Sequence, residues 1–128
     1  MKPVLLTLFV VCLAGCGRVS VSVTTGSDAS YDSAVAKQTL ITALDAWKQG
    51  KAGTLAKQKP PIRFSDDDFR AGFRLVEYKL ATPEEPIQQS RSVTVVLSIS
   101  RGKGAPVERE ALYQVSLKPQ PAVLRADP

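Results

Sequence analysis

The clearest periodic signal in the chain is a stripe of apolar residues at intervals of three and four. Its members are Ala36, Leu40, Ala43, Leu44 and Trp47. This spacing places them on one face of a helix, with polar residues on the other. Asp32 or Ser33 can cap the amino end, and Gly50 can end the helix in the left-handed conformation. The sequence therefore predicts an amphipathic helix over 33–49, with Trp47 as a core anchor beneath a sheet.

After Pro60-Pro61 the pattern changes to the alternation that is typical of strands. Four segments show it, namely 69–81, 93–100, 107–118 and 122–126. Within the first segment, the apolar residues change from one alternating set of positions to the other near Leu75–Val76, which predicts a bulge or bend. Pro121 and Pro128 bound the last, which favours a place at the edge of the sheet. A short helical turn is predicted at 54–58, where the prolines would stop it.

One long helix followed by three to four antiparallel strands predicts an α+β fold with the helix packed on one face of a curved sheet. The order and spacing of these elements over about residues 32–128 resemble the cystatin-like and NTF2-like families. The stretch from Ala43-Leu44-Asp45-Ala46-Trp47-Lys48 through Pro60-Pro61-Ile62 to Tyr78 is also similar to a group of small bacterial lipoproteins. NTF2-like enzymes enclose their pocket with several helices, and this chain offers one, which argues against a deep catalytic cavity.

The amino-terminal residues have the organisation of an export signal. Lys2 precedes an apolar run over residues 4–14, which is shorter than the roughly 20 apolar residues of a spanning helix. The run ends in Leu13-Ala14-Gly15-Cys16, which resembles the lipobox of bacterial lipoprotein precursors. The resemblance implies that residues 13–15 are recognised by a signal peptidase, that the bond before Cys16 is cleaved, and that Cys16 carries the lipid. An ordinary secretory signal with an incidental cysteine is the alternative.

The chain therefore divides into a signal peptide at 1–15, a lipidated Cys16 with a flexible tether at 16–31, and an α+β domain at 32–128. A flexible tether of this length has an end-to-end distance of roughly 20 Å. The alternation from Val19 to Thr24 also fits a short strand. A lipidated Cys16 would hold the protein on a membrane. By resemblance to lipoprotein sorting in enteric bacteria, Gly17 after the cysteine favours the outer membrane, facing the periplasm, over the inner membrane.

The composition excludes several kinds of chemistry. The 128 residues include 17 Lys+Arg, 12 Asp+Glu, 2 Cys and no His, giving a net charge of +5. Without histidine, neither a Ser-His-Asp nor a Cys-His site is possible. The basic residues are scattered through all predicted elements with no aromatic-rich strand on which bases could stack, so we expect no nucleic-acid partner. We expect no cofactor and no metal.

Two charged segments are the first candidates for chemistry. Asp66-Asp67-Asp68 could bind a hard cation if turn carbonyls completed the ligand set, but the EF-hand spacing is absent, and we interpret the segment as a solvated turn. Arg101-Gly102-Lys103-Gly104 joins two strands instead of opening a helix, so we interpret it as a hairpin tip and not as a phosphate loop.

Arg109 and Tyr78 are the other candidates. By its place in the alternation, Arg109 lies on the same face of its predicted strand as the core-facing residues. It is therefore either an anion contact in a shallow groove or a side chain that reaches solvent. An NTF2-like isomerase or hydratase would need a carboxylate of raised pKa, with Tyr78 as hydrogen-bond donor. The carboxylates available for that role are Asp45, Glu77, Glu108 and Glu110.

These observations predict a lipid-anchored exported protein whose α+β domain binds a protein, peptide or envelope component at the membrane surface. Arg109, Tyr78 and Trp47 are its candidate pocket or partner contacts, and the edge of the last strand offers β-augmentation. The alternative is an NTF2-like small-molecule binder or enzyme with a pocket under the curved sheet. A third interpretation is an assembly lipoprotein whose function is tethering.

Overall fold

The computed structural model describes residues 31–127. Helix α1 spans Ser33–Lys48, so the predicted helix is confirmed and ends one residue earlier than expected. The Asp32 carboxylate caps it, accepting hydrogen bonds from the backbone N–H groups of Ala34 at 2.9 Å and Val35 at 3.2 Å. Gly50 follows the carboxyl end with φ +73°, a conformation that favours glycine because it has no Cβ.

A five-stranded sheet, curled into a half-barrel, forms the second layer. Its strands are β1 (Arg63–Ser65), β2 (Arg74–Leu80), β3 (Val93–Ser100), β4 (Val107–Ser116) and β5 (Ala122–Arg125). The spatial order is β1-β5-β4-β3-β2. Strands β2 to β5 form the predicted antiparallel meander, and β1 adds to β5 in parallel. The fold is therefore α+β, but the expectation of three to four strands is corrected to five.

The prediction that the last strand lies at an edge is wrong. Strand β5 lies between β4 and β1, so its backbone is paired on both sides. Pro121 precedes the strand and its carbonyl accepts a 2.9 Å hydrogen bond from the Arg63 N–H. Prolines that flank a strand remove no hydrogen bond from its interior, which is why they did not determine its position in the sheet. Strand β1 has three residues, too few to show an alternation.

The predicted strand over 69–81 begins later than expected. Its first residues belong to a one-turn helix, α2 (Asp67–Arg70), and a turn through Gly72 with φ +89° leads into β2. The register between β2 and β3 shifts between Leu75 and Glu77, which confirms the bulge. The helical turn expected at 54–58 is a 3₁₀ turn at Ala52–Thr54.

Helix α1 packs on one face of the sheet, and the space between them is filled by side chains. The sheet contributes eight residues to the hydrophobic core, namely Leu75, Val95, Leu97, Ile99, Ala111, Tyr113, Val115 and Val123. Trp47 is 3% exposed, and its indole N–H donates a 3.0 Å hydrogen bond to the Phe73 carbonyl. Its ring lies 6.0 Å from the rings of both Phe64 and Phe69. The prediction that Trp47 anchors the core is confirmed.

The export signal, the lipobox residues Leu13, Ala14, Gly15 and Cys16, and the possible strand at 19–24 lie outside the described residues and stay predictions. Between residues 31 and 127, the structure contains no helix long and apolar enough to cross a membrane.

Candidate functional site

Two of the three carboxylates in the acidic segment Asp66-Asp67-Asp68 are buried, whereas Asp67 is exposed, so the interpretation of the segment as a solvated turn holds only for Asp67. Asp66 is 0% and Asp68 is 6% exposed. Asp66 caps α2, its Oδ1 accepting a 2.8 Å hydrogen bond from the Phe69 N–H. This cap turns the carboxylates toward the sheet, where side chains of β4 and β5 meet them.

The buried carboxylates join a group that we call the carboxylate–arginine network. It consists of Asp66, Asp68, Arg109, Tyr113, Arg125 and Asp127. The Arg125 Nη1 donates to Asp66 Oδ2 at 2.9 Å and to Asp68 Oδ2 at 3.0 Å. Its Nε donates to the Asp127 carboxylate. One guanidinium thus ties α2 to the end of β5 through three carboxylates.

Tyr113 completes the buried part of this network. Its hydroxyl donates a hydrogen bond to Asp66 Oδ2, and its ring lies 5.8 Å from the Arg125 guanidinium carbon. Burial, reinforced by the adjacent Asp66 charge, raises the pKa of the Tyr113 hydroxyl above its usual value. The phenol therefore stays a neutral donor.

Arg125 is held in its charged form. Burial alone would lower the pKa of its guanidinium, but hydrogen bonds to Asp127, Asp66 and Asp68 outweigh burial and raise that pKa. The Arg125 hydrogen bond in turn lowers the pKa of the Asp127 carboxyl. Within residues 31–127, no buried side-chain polar atom lacks a hydrogen-bond partner. The network is consequently a satisfied internal brace, with its oxygens already engaged by the protein.

Arg109, for which the sequence left open an anion contact or a side chain that reaches solvent, contacts a carboxylate of the protein itself. Its guanidinium pairs with Asp68 and lies 5.8 Å from the centre of the Phe73 ring, a cation–π distance. The side chain remains 46% exposed. Arg109 therefore links the network to the surface.

Tyr78 does donate to a carboxylate, as the enzyme alternative required. Its hydroxyl lies 2.7 Å from Asp45 Oδ1 on α1, and burial, followed by the contact with Asp45, raises the pKa of the tyrosine. Both residues are half-buried, and Asp45 helps to line a surface groove of about 260 Å³. Glu108 and Glu110 alternate with the core-facing residues of β4 and are exposed, so the fold does not bring them to this pair.

A surface groove lies where the carboxyl end of α1 approaches the β3–β4 hairpin. We call it the hairpin groove; it has a volume of about 530 Å³. Its lining includes Trp47, Lys48, Arg74, Leu75, Val76 and Pro106. Val76 is 41% exposed because the bulge turns it away from the core. The groove combines an apolar floor with basic residues at its rim.

Sequence reasoning missed the roles of Arg125 and Asp127. The signal was present, since Arg125 lies two residues after the buried Val123 and so shares its face of β5. An arginine on a core-facing position needs a carboxylate partner, and Asp66 and Asp68 belong to the densest cluster of carboxylates in the sequence. Pairing them required knowledge that β1 brings α2 beside β5.

Among residues 31–127, no group of three or more acidic or cysteine side chains is placed to hold a metal ion. No protein-family model, curated protein or solved structure matches the chain.

Proposed function

We propose that the chain is a lipid-anchored exported protein whose α+β domain binds a protein, peptide or envelope component beside the membrane. The observation that carries the proposal is the sequence Leu13-Ala14-Gly15-Cys16 after a short apolar run. The described domain begins at Tyr31. A flexible chain between Cys16 and Tyr31 would hold it within roughly 20 Å of the lipid.

We also propose that the domain is a variant of the cystatin-like or NTF2-like arrangement. In its favour, one helix of 16 residues packs across an antiparallel meander of four consecutive strands. The parallel strand β1 is a departure from the predicted pattern.

Binding is favoured over catalysis by the way in which the domain uses its polar groups. Asp66, Asp68 and Arg125 are engaged with one another, and the space under the sheet is occupied by the α1 side chains and Tyr113. Arg74, which lines the hairpin groove, takes part in none of the ion pairs among residues 31–127 and remains open to a partner. The enzyme alternative keeps one favourable observation, the 2.7 Å contact between Tyr78 and Asp45.

The proposal is tested by the intact mass of the full chain extracted from membranes of a bacterial host. We expect a polypeptide that starts at Cys16 and is heavier by a diacylglyceryl group and an acyl chain. Cys16→Ala should lose this added mass and its membrane retention, because no thiol remains at the cleavage site. Cys12→Ala is the matched control and should behave as the wild type, since Cys12 lies in the removed segment. An unmodified chain in the soluble fraction would refute the anchor.

A further inference from the structure

We propose that the hairpin groove binds an acidic peptide segment that carries an apolar side chain, presented by a protein on the side of the domain away from the anchoring membrane. This inference rests on the proposed function, because the side of the domain that faces the membrane follows from the proposed lipid anchor. Its chemical basis is the groove itself, which joins exposed apolar surface to cations that have no carboxylate partner in the described chain.

The floor of the groove can take an apolar side chain. Leu75 and Pro106 line it beside Val76, which is 41% exposed. Val107, directly after Pro106, is 50% exposed. Removing such apolar surface from water is favourable, so a partner that inserts one apolar side chain gains affinity here.

The rim of the groove is cationic and only partly neutralised. Arg74 lines it, and Arg101 and Lys103 lie in the hairpin next to the lining residues Ser100 and Gly104. Among residues 31–127, the Arg74 guanidinium makes two long hydrogen bonds, each 3.4 Å, to Ser100 Oγ and the Gly102 carbonyl. Lys48 differs, since it pairs with Glu77 at 3.1 Å.

The nearby carboxylates do not cancel this positive charge. Within residues 31–127, the ion pairs of the basic side chains involve Lys48, Arg70, Arg109 and Arg125. Arg74, Arg101 and Lys103 take part in none of them. Glu77 is engaged by Lys48, and Glu108 lies on the sheet face opposite the core. A complementary partner therefore carries carboxylates, which would pair with these exposed cations.

The topology places the groove far from the point where the chain leads to Cys16. The Tyr31 hydroxyl donates a 2.8 Å hydrogen bond to the Val115 carbonyl, near the end of β4. Pro106, in the groove, directly precedes the start of the same strand at Val107. A strand of this length spans about 30 Å. A lipid attached through the Tyr31 end would leave the groove at the opposite end of strand β4 from the attachment point, which favours a protein partner over headgroups of the anchoring bilayer.

The test uses the full chain in uncharged detergent micelles and measures fluorescence anisotropy of two labelled peptides. The probe is a short glutamate peptide with a central leucine, and the comparison is the same peptide with lysine in place of glutamate. We expect the acidic peptide to bind, the basic peptide not to bind, and added salt to weaken the complex. The double variant Arg101→Glu with Lys103→Glu should weaken binding by about tenfold or more. Val76→Ser should weaken it by a smaller factor.

The matched control is the double variant Arg63→Glu with Lys118→Glu, which changes the net charge equally at the other end of the sheet. Equal binding of both peptides, or equal losses in the groove and control variants, would overturn the inference. The inference would also be overturned if the protein bound phosphatidylglycerol vesicles and not the peptide, and if the groove substitutions abolished that vesicle binding. Cys16→Ala is measured in parallel, because it should keep peptide binding while losing the lipid. Failure of the anchor and failure of the groove are thus separate results.

Discussion

Arg125 and Arg74 belong to the same sheet, yet their surroundings are opposite. The Arg125 side chain is 8% exposed and touches the carboxylates of Asp66, Asp68 and Asp127. Arg74 is exposed, and in the described part of the chain its guanidinium donates to a hydroxyl and a carbonyl, each at 3.4 Å. A buried charge is tolerated only when it is paired and hydrogen-bonded, whereas an exposed charge needs no internal partner. The comparison separates a cation that holds the fold together from one that is available to another molecule.

Replacing Arg125 should give the largest effect on stability. Arg125→Met leaves Asp66 and Asp68 buried without their shared cation, and breaking a buried ion pair in this way costs about 3–5 kcal/mol. We expect the free energy of unfolding, measured by urea denaturation, to fall by that amount. Arg74→Met is the matched control and should change it by less than about 0.5 kcal/mol. Similar losses in both variants would remove the distinction between the two arginines.

Tyr113→Phe should have an intermediate effect. It removes the hydroxyl that donates to Asp66 Oδ2 while preserving the ring. Asp66 keeps Arg125 and the Phe69 N–H as partners, so we expect a loss of about 2 kcal/mol in the free energy of unfolding. Tyr31→Phe, which removes a half-buried hydrogen bond to a backbone carbonyl, is the control and should cost less.

The same variant makes a prediction for alkaline pH. Burial raises the pKa of Tyr113 in the folded protein, so its contribution is fully present below the ordinary tyrosine pKa of about 10. It is lost as the pH rises from there toward the folded value, because the unfolded chain releases the proton first. The slope of the free energy of unfolding against pH gives the difference in bound protons between the unfolded and the folded protein. Between about pH 10 and 11.5, Tyr113→Phe should reduce that difference by roughly one proton. An unchanged slope would show that Tyr113 is not protected from ionisation.

The fold was largely predictable from periodicity, and the exceptions have a common cause. Helix α1 and strand β3 each have enough residues to repeat their pattern several times. Strand β1, with three residues, and the single turn of α2 do not. Strand β1 depends on its pairing with β5, a tertiary contact of which a local pattern carries no record. Helix α2 begins at a local cap, Asp66, but it is too short to show a helical repeat.

The candidate sites were less predictable for the same reason. The sequence marked Asp66 and Asp68 as a cluster and placed Arg109 on the core face of β4, but it did not reveal that they meet. The exposure of Val76 follows from a bulge that the change in the alternating pattern did indicate. The hairpin groove, by contrast, depends on how closely the end of α1 approaches the β3–β4 hairpin, which only the folded chain determines.

The smallest expected effect concerns Lys48, which stands between the two kinds of cation. It is paired, like Arg125, but its side chain is 40% exposed and that of Glu77 is 65% exposed. The hydrogen bond from Lys48 lowers the pKa of Glu77, so the pair contributes above the ordinary glutamate pKa and is lost as the pH falls through the folded value. Solvent and salt screen such a pair. Lys48→Met should therefore change the free energy of unfolding by no more than the error of a urea titration, and added salt should not separate the variant from the wild type. A large loss of unfolding free energy in Lys48→Met would show that pairing alone is enough for a cation to stabilise the fold. The expected result would show that a cation must be both buried and paired, as Arg125 is and Lys48 is not.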